Sequence, residues 1–171
     1  MSLRHAVLGM LADQPGSGYD LLKRFQTAMS NVWSATQSQL YGELGKLEKA
    51  DLITVTAEGP RGRKEYAITD TGLAELRAWL LAEPAGPPRS EALLRVYFLG
   101  SVEPEQARAY LEGLGEGALR RAEHLAEIEA TVDWDDGDQS VYGRLALEFG
   151  KRYSEMQREW SAWAAKQIKT P

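Results

Sequence analysis

In the stretch from 36 to 69, TQSQLYGELGKLEKADLITVTAEGPRGRKEYAIT, the apolar period changes in mid-course, and that change most restricts what the chain can fold into. Thr36 followed three residues later by Gln39 is a capping box, which satisfies two orphan backbone donors at a helix start. From there Leu40, Leu44 and Leu47 recur at helical spacing and predict one buried stripe. Gln37, Ser38, Tyr41, Lys46 and Lys49 are left to the other faces. After Leu52 the period becomes 2. Ile53 and Val55 alternate with Thr54 and Thr56, and Tyr66 and Ile68 alternate with Glu65, Ala67 and Thr69, so two half-buried strands are expected. Gly59, Pro60 and Gly62 make the turn between them, and Arg61, Arg63 and Lys64 give that turn a cationic tip.

A capped helix with a polar outer face, followed at once by a hairpin with a basic tip, predicts a winged helix-turn-helix. In that arrangement the helix fits a major groove and the wing neutralises phosphates beside it. Leu40-Tyr41, Leu44, Leu47-Glu48, Leu52-Ile53, the Gly-Arg-Lys wing, Tyr66, Ile68-Thr69 and Gly72 together resemble the PadR family of bacterial winged-helix transcriptional regulators. The segment LGMLADQPGSGYDLLKRF at 8 to 25 is similar to that family's first two helices, including Gly18-Tyr19. Gly42 stands where a proline commonly follows the tyrosine, and Ala50-Asp51 replaces the usual glycine before the Leu-Ile pair. The resemblance implies a DNA-binding regulator with a C-terminal helical extension that forms a homodimer, and an answer to phenolic or flat aromatic molecules in several members.

The rest of the chain divides around a proline-rich stretch. A helix is expected over 3 to 11, with Ala6, Val7, Met10 and Leu11 apolar. A turn at Pro15 to Gly18 leads to a second helix over 19 to 29, which carries Leu21, Leu22 and Phe25 inward and Lys23 and Arg24 outward. Trp33 falls in the following turn and reads as a core or dimer-contact residue. Gly42 and Gly45 each cost about 1 kcal/mol in a helix interior, which asks for close approach either to DNA or to the second helix. Thr69 or Asp70 caps a further helix with Leu73, Leu76, Trp79 and Leu80 to about residue 82, closing a unit over 1 to 83. Three prolines in the seven residues 83 to 89 exclude a continuous helix, so 84 to 89 is a linker.

Beyond it, 90 to 171 should be helical. Ser90 caps a segment that is apolar almost all round and therefore expected to be buried. A long helix follows Pro104, with Ala107, Leu111, Leu114, Ala118, Ala122, Leu125, Ile128 and Val132 at helical spacing. An acidic turn at 134 to 138 precedes the last helix, whose stripe of Val141, Leu145, Phe149, Tyr153, Met156, Trp160 and Trp163 runs near the coiled-coil period. That stripe exceeds what one partner helix covers, which predicts burial against a second copy. Trp33, Phe149, Tyr153, Trp160 and Trp163 are also the candidates to line an aromatic effector pocket at that interface, with plain packing as the alternative.

The fold class expected is thus mainly α with a small β-hairpin: a winged helix-turn-helix domain, a linker and a C-terminal dimerisation region. The net charge of −5 does not oppose DNA binding. Residues 1 to 82 hold nine basic and nine acidic side chains and residues 83 to 171 hold eleven and sixteen, so the excess acid lies in the second part and not in the one that carries the wing. The absence of cysteine excludes disulfides, thiolate metal sites and a cysteine nucleophile. Two histidines in different modules do not make a zinc site, and no phosphate loop or nucleophile elbow is present, so neither an enzyme nor a cofactor or metal is expected. Apolar runs are too short for a membrane span or signal peptide, and a cytoplasmic protein is expected. The expected DNA contacts are Gln37, Ser38 and Tyr41 in the groove and Lys46, Lys49, Arg61, Arg63 and Lys64 on phosphates. The partner expected is double-stranded DNA, bound by a homodimeric repressor at a pseudo-palindromic site. The rival readings are a protein-binding winged-helix module and an aromatic small-molecule sensor for which DNA is secondary.

Overall fold

The computed structural model describes residues 3–28, 35–83, 90–135 and 137–168. The chain separates into two compact units, residues 1–84 and 85–171. Each has its own apolar core. The linker expected at 84–89 lies outside the described residues.

The first unit runs α1 (Leu3–Asp13), β1 (Gly16–Ser17), α2 (Gly18–Ala28), α3 (Gln37–Lys49), β2 (Ile53–Glu58), a 3₁₀ turn (Pro60–Gly62), β3 (Lys64–Ile68) and α4 (Asp70–Leu81). Val7, Leu8 and Leu11 of α1, Leu21 and Phe25 of α2, Leu40, Leu44 and Leu47 of α3, and Leu52, Ile53, Tyr66 and Leu76 form one buried cluster. The leucine stripe of α3 is inside, so its polar faces are outside. The capping box is present: Thr36 Oγ1 accepts from the Gln39 amide at 3.3 Å, and Gln39 Oε1 accepts from the Thr36 amide at 2.9 Å.

α3 ends in a Schellman motif, which fixes the angle at which the chain leaves for the wing. The Leu52 amide donates to the Leu47 carbonyl and the Asp51 amide to the Glu48 carbonyl, both at 3.1 Å. Asp51 takes the left-handed conformation, with φ 54°, that such an ending requires. Leu47 and Leu52 are both buried beside it. The next close fit is at Gly72: a Cβ there would stand 2.0 Å from the Leu52 carbonyl oxygen, so only glycine lets α4 dock on the end of α3. Thr69 is the cap of α4, accepting from the Gly72 amide at 3.0 Å.

β2 and β3 pair antiparallel with Ile53 opposite Ile68 and Val55 opposite Tyr66, and a register shift between Val55 and Ala57 bends the ribbon. The segment before α2, expected as a turn, also contributes β1. Gly16 pairs with Tyr66 and Ser17 with Glu65, giving a three-stranded sheet in the order β1-β3-β2.

The second unit contains α5 (Glu91–Tyr97), a 3₁₀ turn (Leu99–Ser101), α6 (Pro104–Thr131) and α7 (Asp138–Gln167). Ser90 caps α5 as expected, accepting from the Leu93 amide at 3.2 Å. The burial expected for α5 is not found: Leu93, Leu94, Tyr97 and Phe98 are exposed. A helix of seven residues has only one narrow face to spend on its neighbours, and here Val96 and the following Leu99 supply it, packing with Leu111, Ala164 and Ala165.

α6 and α7 lie antiparallel along their length. Arg108 donates to the Ile168 carbonyl at 2.9 Å near one end, and Arg121 to Gln157 Oε1 at 2.9 Å further along. A Cβ on Gly115 would meet that of Ser161 at 3.3 Å, and one on Gly150 would meet Leu125 Cδ1 at 3.1 Å. The buried stripe of α6 is as expected at Ala107, Leu111, Ala118, Leu125 and Ile128. The face that α7 turns to it is built instead from Leu147, Ser154, Ser161, Ala164 and Ala165. The large side chains Val141, Leu145, Phe149, Tyr153, Met156 and Trp163 stay on the outside of the unit. No helix among the described residues is long and apolar enough to cross a membrane.

Candidate nucleic-acid interface

Burial of Leu40, Leu44 and Leu47 obliges the opposite side of α3 to face outward. Gln37 and Ser38 in its first turn are exposed, as are Tyr41, Gly42, Lys46 and Lys49. The Tyr41 ring is not free to swing, because it rests on α2. A Cβ on Gly18 would approach its Cε1 to 2.6 Å and its hydroxyl oxygen to 3.2 Å. Gly18 therefore makes the seat that holds the phenol at the outer edge of the helix pair. By contrast, a Cβ on Gly42 or Gly45 would meet nothing within 4 Å. Close packing on the second helix does not account for these two glycines, and the space beside them is open.

The wing is tied back to both helices by its own cations. Lys64 Nζ lies 3.0 Å from Glu48 Oε1 of α3, and Arg63 Nη2 lies 3.0 Å from Asp20 Oδ2 of α2 and 3.1 Å from Glu65 Oε1. These cations remain open to solvent, Arg63 with 56% and Lys64 with 38% of the side chain exposed. Lys46 pairs with Glu43 at 3.1 Å along α3. Asp20 is itself fixed: Ser17 Oγ donates to it at 2.5 Å and the Ser17 amide at 3.1 Å. Those hydrogen bonds, with Arg63 adding to them, hold its carboxyl below the usual carboxylate range. The Glu48 carboxylate raises Lys64 above the ordinary lysine value. Asp20 and Lys64 are each thereby held more firmly in the charged form. The side chain of Arg61 lies outside the described residues.

Of the two cations expected on the outer side of α2, Arg24 has a structural task. It donates to the Met10 carbonyl at 3.3 Å and the Gln14 carbonyl at 2.9 Å, closing the end of α1. Tyr19 was not among the expected contacts, yet it is 67% exposed one residue from the Gly18 seat. Its tyrosine beside Gly18 was the only available signal, and periodicity gives no reason to single it out.

The described aromatic candidates, all in the second unit, do not gather into one cluster there. Phe149 and Tyr153 stack with centroids 6.2 Å apart and planes at 12°, on the outer face of α7. Trp160 packs partly buried beside Leu111, while Trp163 is exposed. A groove of about 410 Å³ between α6 and α7 is lined by Arg108, Glu112, Ala162, Ala165 and Lys166, and by none of these rings. Trp33 lies outside the described residues.

Comparison with known proteins gives the same picture for each unit. The family model "Transcriptional regulator PadR-like family" matches residues 7–78, and "Virulence activator alpha C-term" matches residues 88–169. The negative transcriptional regulator PadR of Bacillus subtilis is 36% identical over 110 residues, 61% of this chain and 60% of that protein. A probable transcriptional regulator of Mycobacterium tuberculosis is 41% identical over 92 residues, 52% of this chain and 48% of its own length. The chain thus spans about half to three fifths of the curated relatives it matches.

Among solved structures, the Vibrio cholerae virulence activator AphA superposes with a TM-score of 0.82 at 26% identity, covering 98% of both chains. Bacillus subtilis PadR in complex with operator DNA superposes with a TM-score of 0.78 at 27% identity, over 99% of this chain and 100% of that one. The same regulator in complex with p-coumaric acid gives 0.80 at 26%, over 98% and 99%. With its capped outward helix and ion-paired wing, the first unit is a PadR-like winged-helix domain over residues 7–78, and the chain as a whole has the fold of the PadR and AphA regulators.

Proposed function

We propose that this regulator binds double-stranded DNA as a homodimer, in the cytoplasm, and represses transcription by occupying a pseudo-palindromic operator. The observation that carries the reading is the outward face of α3 joined to a cationic wing. Gln37 and Ser38 stand in the turn of a recognition helix that reaches base edges, and a glutamine pairs with adenine through two hydrogen bonds. Tyr41, on its Gly18 seat, offers a hydroxyl at the phosphate edge. Lys46, Lys49, Arg61, Arg63 and Lys64 hold the backbone. The Bacillus subtilis relative crystallised with operator DNA supports the same use of the fold.

Changing Arg61, Arg63 and Lys64 together to alanine should weaken binding to all duplexes alike and lower the slope of log affinity against log salt by roughly two to three. Fluorescence anisotropy across a salt series measures both quantities. An unchanged slope takes the wing out of the mechanism, and a wild-type protein with no salt-dependent duplex affinity favours a protein-docking module instead. Selection from random duplexes then reads half-site symmetry and spacing.

An aromatic effector is a second reading, supported by the ring-rich outer face of α7 and by the p-coumaric acid complex of the relative. In this reading Trp33, Phe149, Tyr153, Trp160 and Trp163 line a pocket completed by the second copy. Quenching of tryptophan emission by planar aromatic acids, lost in Trp160→Ala, is the expected result; quenching that survives the substitution assigns the rings to packing alone.

A further inference from the structure

The wing's phosphate-binding cations are already occupied by carboxylates of the same chain. Lys64 Nζ is 3.0 Å from Glu48 Oε1, and Arg63 Nη2 is within 3.1 Å of both Asp20 and Glu65. These acids come from three different elements, α2, α3 and β3, so the arrangement is not a by-product of one helix's i to i+4 spacing. They also leave the first unit without net positive charge, nine basic against nine acidic side chains up to residue 82.

Geometry sets the consequence. A phosphate oxygen bonded to Lys64 Nζ at about 2.9 Å cannot be further than about 6 Å from Glu48 Oε1, given the 3.0 Å between the two protein atoms. At that distance two like charges repel by an amount equal to about threefold in an equilibrium constant in bulk water, and more where the dielectric is lower. The carboxylate therefore opposes the contact that its lysine would make.

Resting on the DNA-binding reading above, we propose that Glu48, with Asp20 at Arg63, is an affinity-limiting residue: it occupies the phosphate position on the wing in the free protein and must be displaced, or tolerated at close range, whenever the wing engages a duplex. Sequence-independent binding is held weak by this exchange, so occupancy depends on what the first turn of α3 gains from the bases. Asp20 is less suited to a first test because it also accepts the Ser17 amide and hydroxyl that start α2. The Glu48 side chain accepts no backbone hydrogen bond among the described residues, and an exposed pair of this kind adds little to folding.

The experiment uses the full chain, a random-sequence duplex of about two helical turns, and four proteins: wild type, Glu48→Gln, Lys64→Gln and the double variant. Circular dichroism melts verify that all four fold. Glu48→Gln should tighten anisotropy-measured binding about three- to tenfold at low salt and steepen the salt slope by up to about one. The gain should vanish in the Lys64→Gln background, because no phosphate is then drawn to that point. Unchanged or weaker binding by Glu48→Gln overturns the proposal and makes the acid a positioning group for Lys64. A gain that persists without Lys64 also overturns it, reducing Glu48 to one unit of net charge. Wild-type protein that binds no duplex in a salt-dependent way removes the DNA-binding reading itself, whereas wild-type binding with an indifferent Glu48→Gln removes only this inference.

Discussion

Single residues carry conformational demands that the chain meets in unequal ways. Asp51 sits at φ 54° in the Schellman ending of α3, where glycine bears no Cβ penalty and an L-residue costs roughly 1 kcal/mol. Asp51→Gly should therefore raise the denaturant midpoint by an amount equal to about 0.5 to 1 kcal/mol, less the extra entropy glycine gives the unfolded chain. A lower midpoint means the aspartate side chain stabilises the turn by more than the strain costs. His5 is a second case. Its ring stacks on Trp79 at 4.4 Å with planes 5° apart, and only 12% of the side chain is exposed. Burial lowers its pKa from 6.5, against a smaller opposing pull from Glu75, which Arg4 holds by a bidentate pair. A depressed histidine pKa means the unfolded chain binds the proton more tightly, so this stability is fully present above about pH 6.5 and is lost as the pH falls through the folded value. With only two histidines in the chain, an NMR titration of the imidazole protons assigns it directly; a midpoint for His5 at or above 6.5 contradicts the burial argument.

At the level of elements, α3 separates stability from binding. Gly42 faces open space, so alanine there should stabilise the helix by about 1 kcal/mol and raise the melting temperature by roughly 4 to 8 °C. If the glycine is kept for the approach of a phosphate backbone, the same variant binds duplex more weakly. A Gly42→Ala protein that melts higher and binds equally well leaves the glycine without a role at the interface. The capped start of α3 and the two wing strands were legible in the sequence because caps, periods and turn residues are local signals. What was not legible depends on distant partners. β1 exists only because Gly16 and Ser17 find Tyr66 and Glu65, and Arg24 is consumed by carbonyls at the end of α1. The same limit hid the carboxylates on the wing, since Glu48 and Lys64 are 16 residues apart. In α7 the buried face is made of small residues such as Ser154, Ser161 and Ala164, which give almost no hydrophobic signal, whereas the conspicuous aromatic stripe lies on the other side. α5 misled for a related reason: apolar composition marks a surface to be covered without saying whether its own unit covers it.

On the scale of the whole molecule, that uncovered stripe is the argument for a second copy. From Val141 to Trp163 it runs about 33 Å along α7 at 1.5 Å per residue, and Phe149 within it is 71% exposed. Two such faces apposed would reach the size of a standard protein interface, roughly 800 Å² per partner, using the side chains of the stripe that stay exposed. A pseudo-palindromic operator requires the same symmetry, because two recognition helices joined by one two-fold axis read the two half-sites together. Placing charge in the stripe should therefore break both properties at once. The double variant Leu145→Glu with Phe149→Glu is expected to sediment as a monomer while keeping its helical circular dichroism, since both side chains lie outside the α6–α7 core. Its operator affinity should fall by at least about a hundredfold, because the second half-site is no longer bound at the high effective concentration that a linked partner provides. Affinity for an isolated half-site should stay near that of wild type, as α3 and the wing belong to the other unit. A double variant that remains dimeric would place the interface elsewhere, with the exposed α5 residues Leu93, Leu94, Tyr97 and Phe98 the next surface to charge.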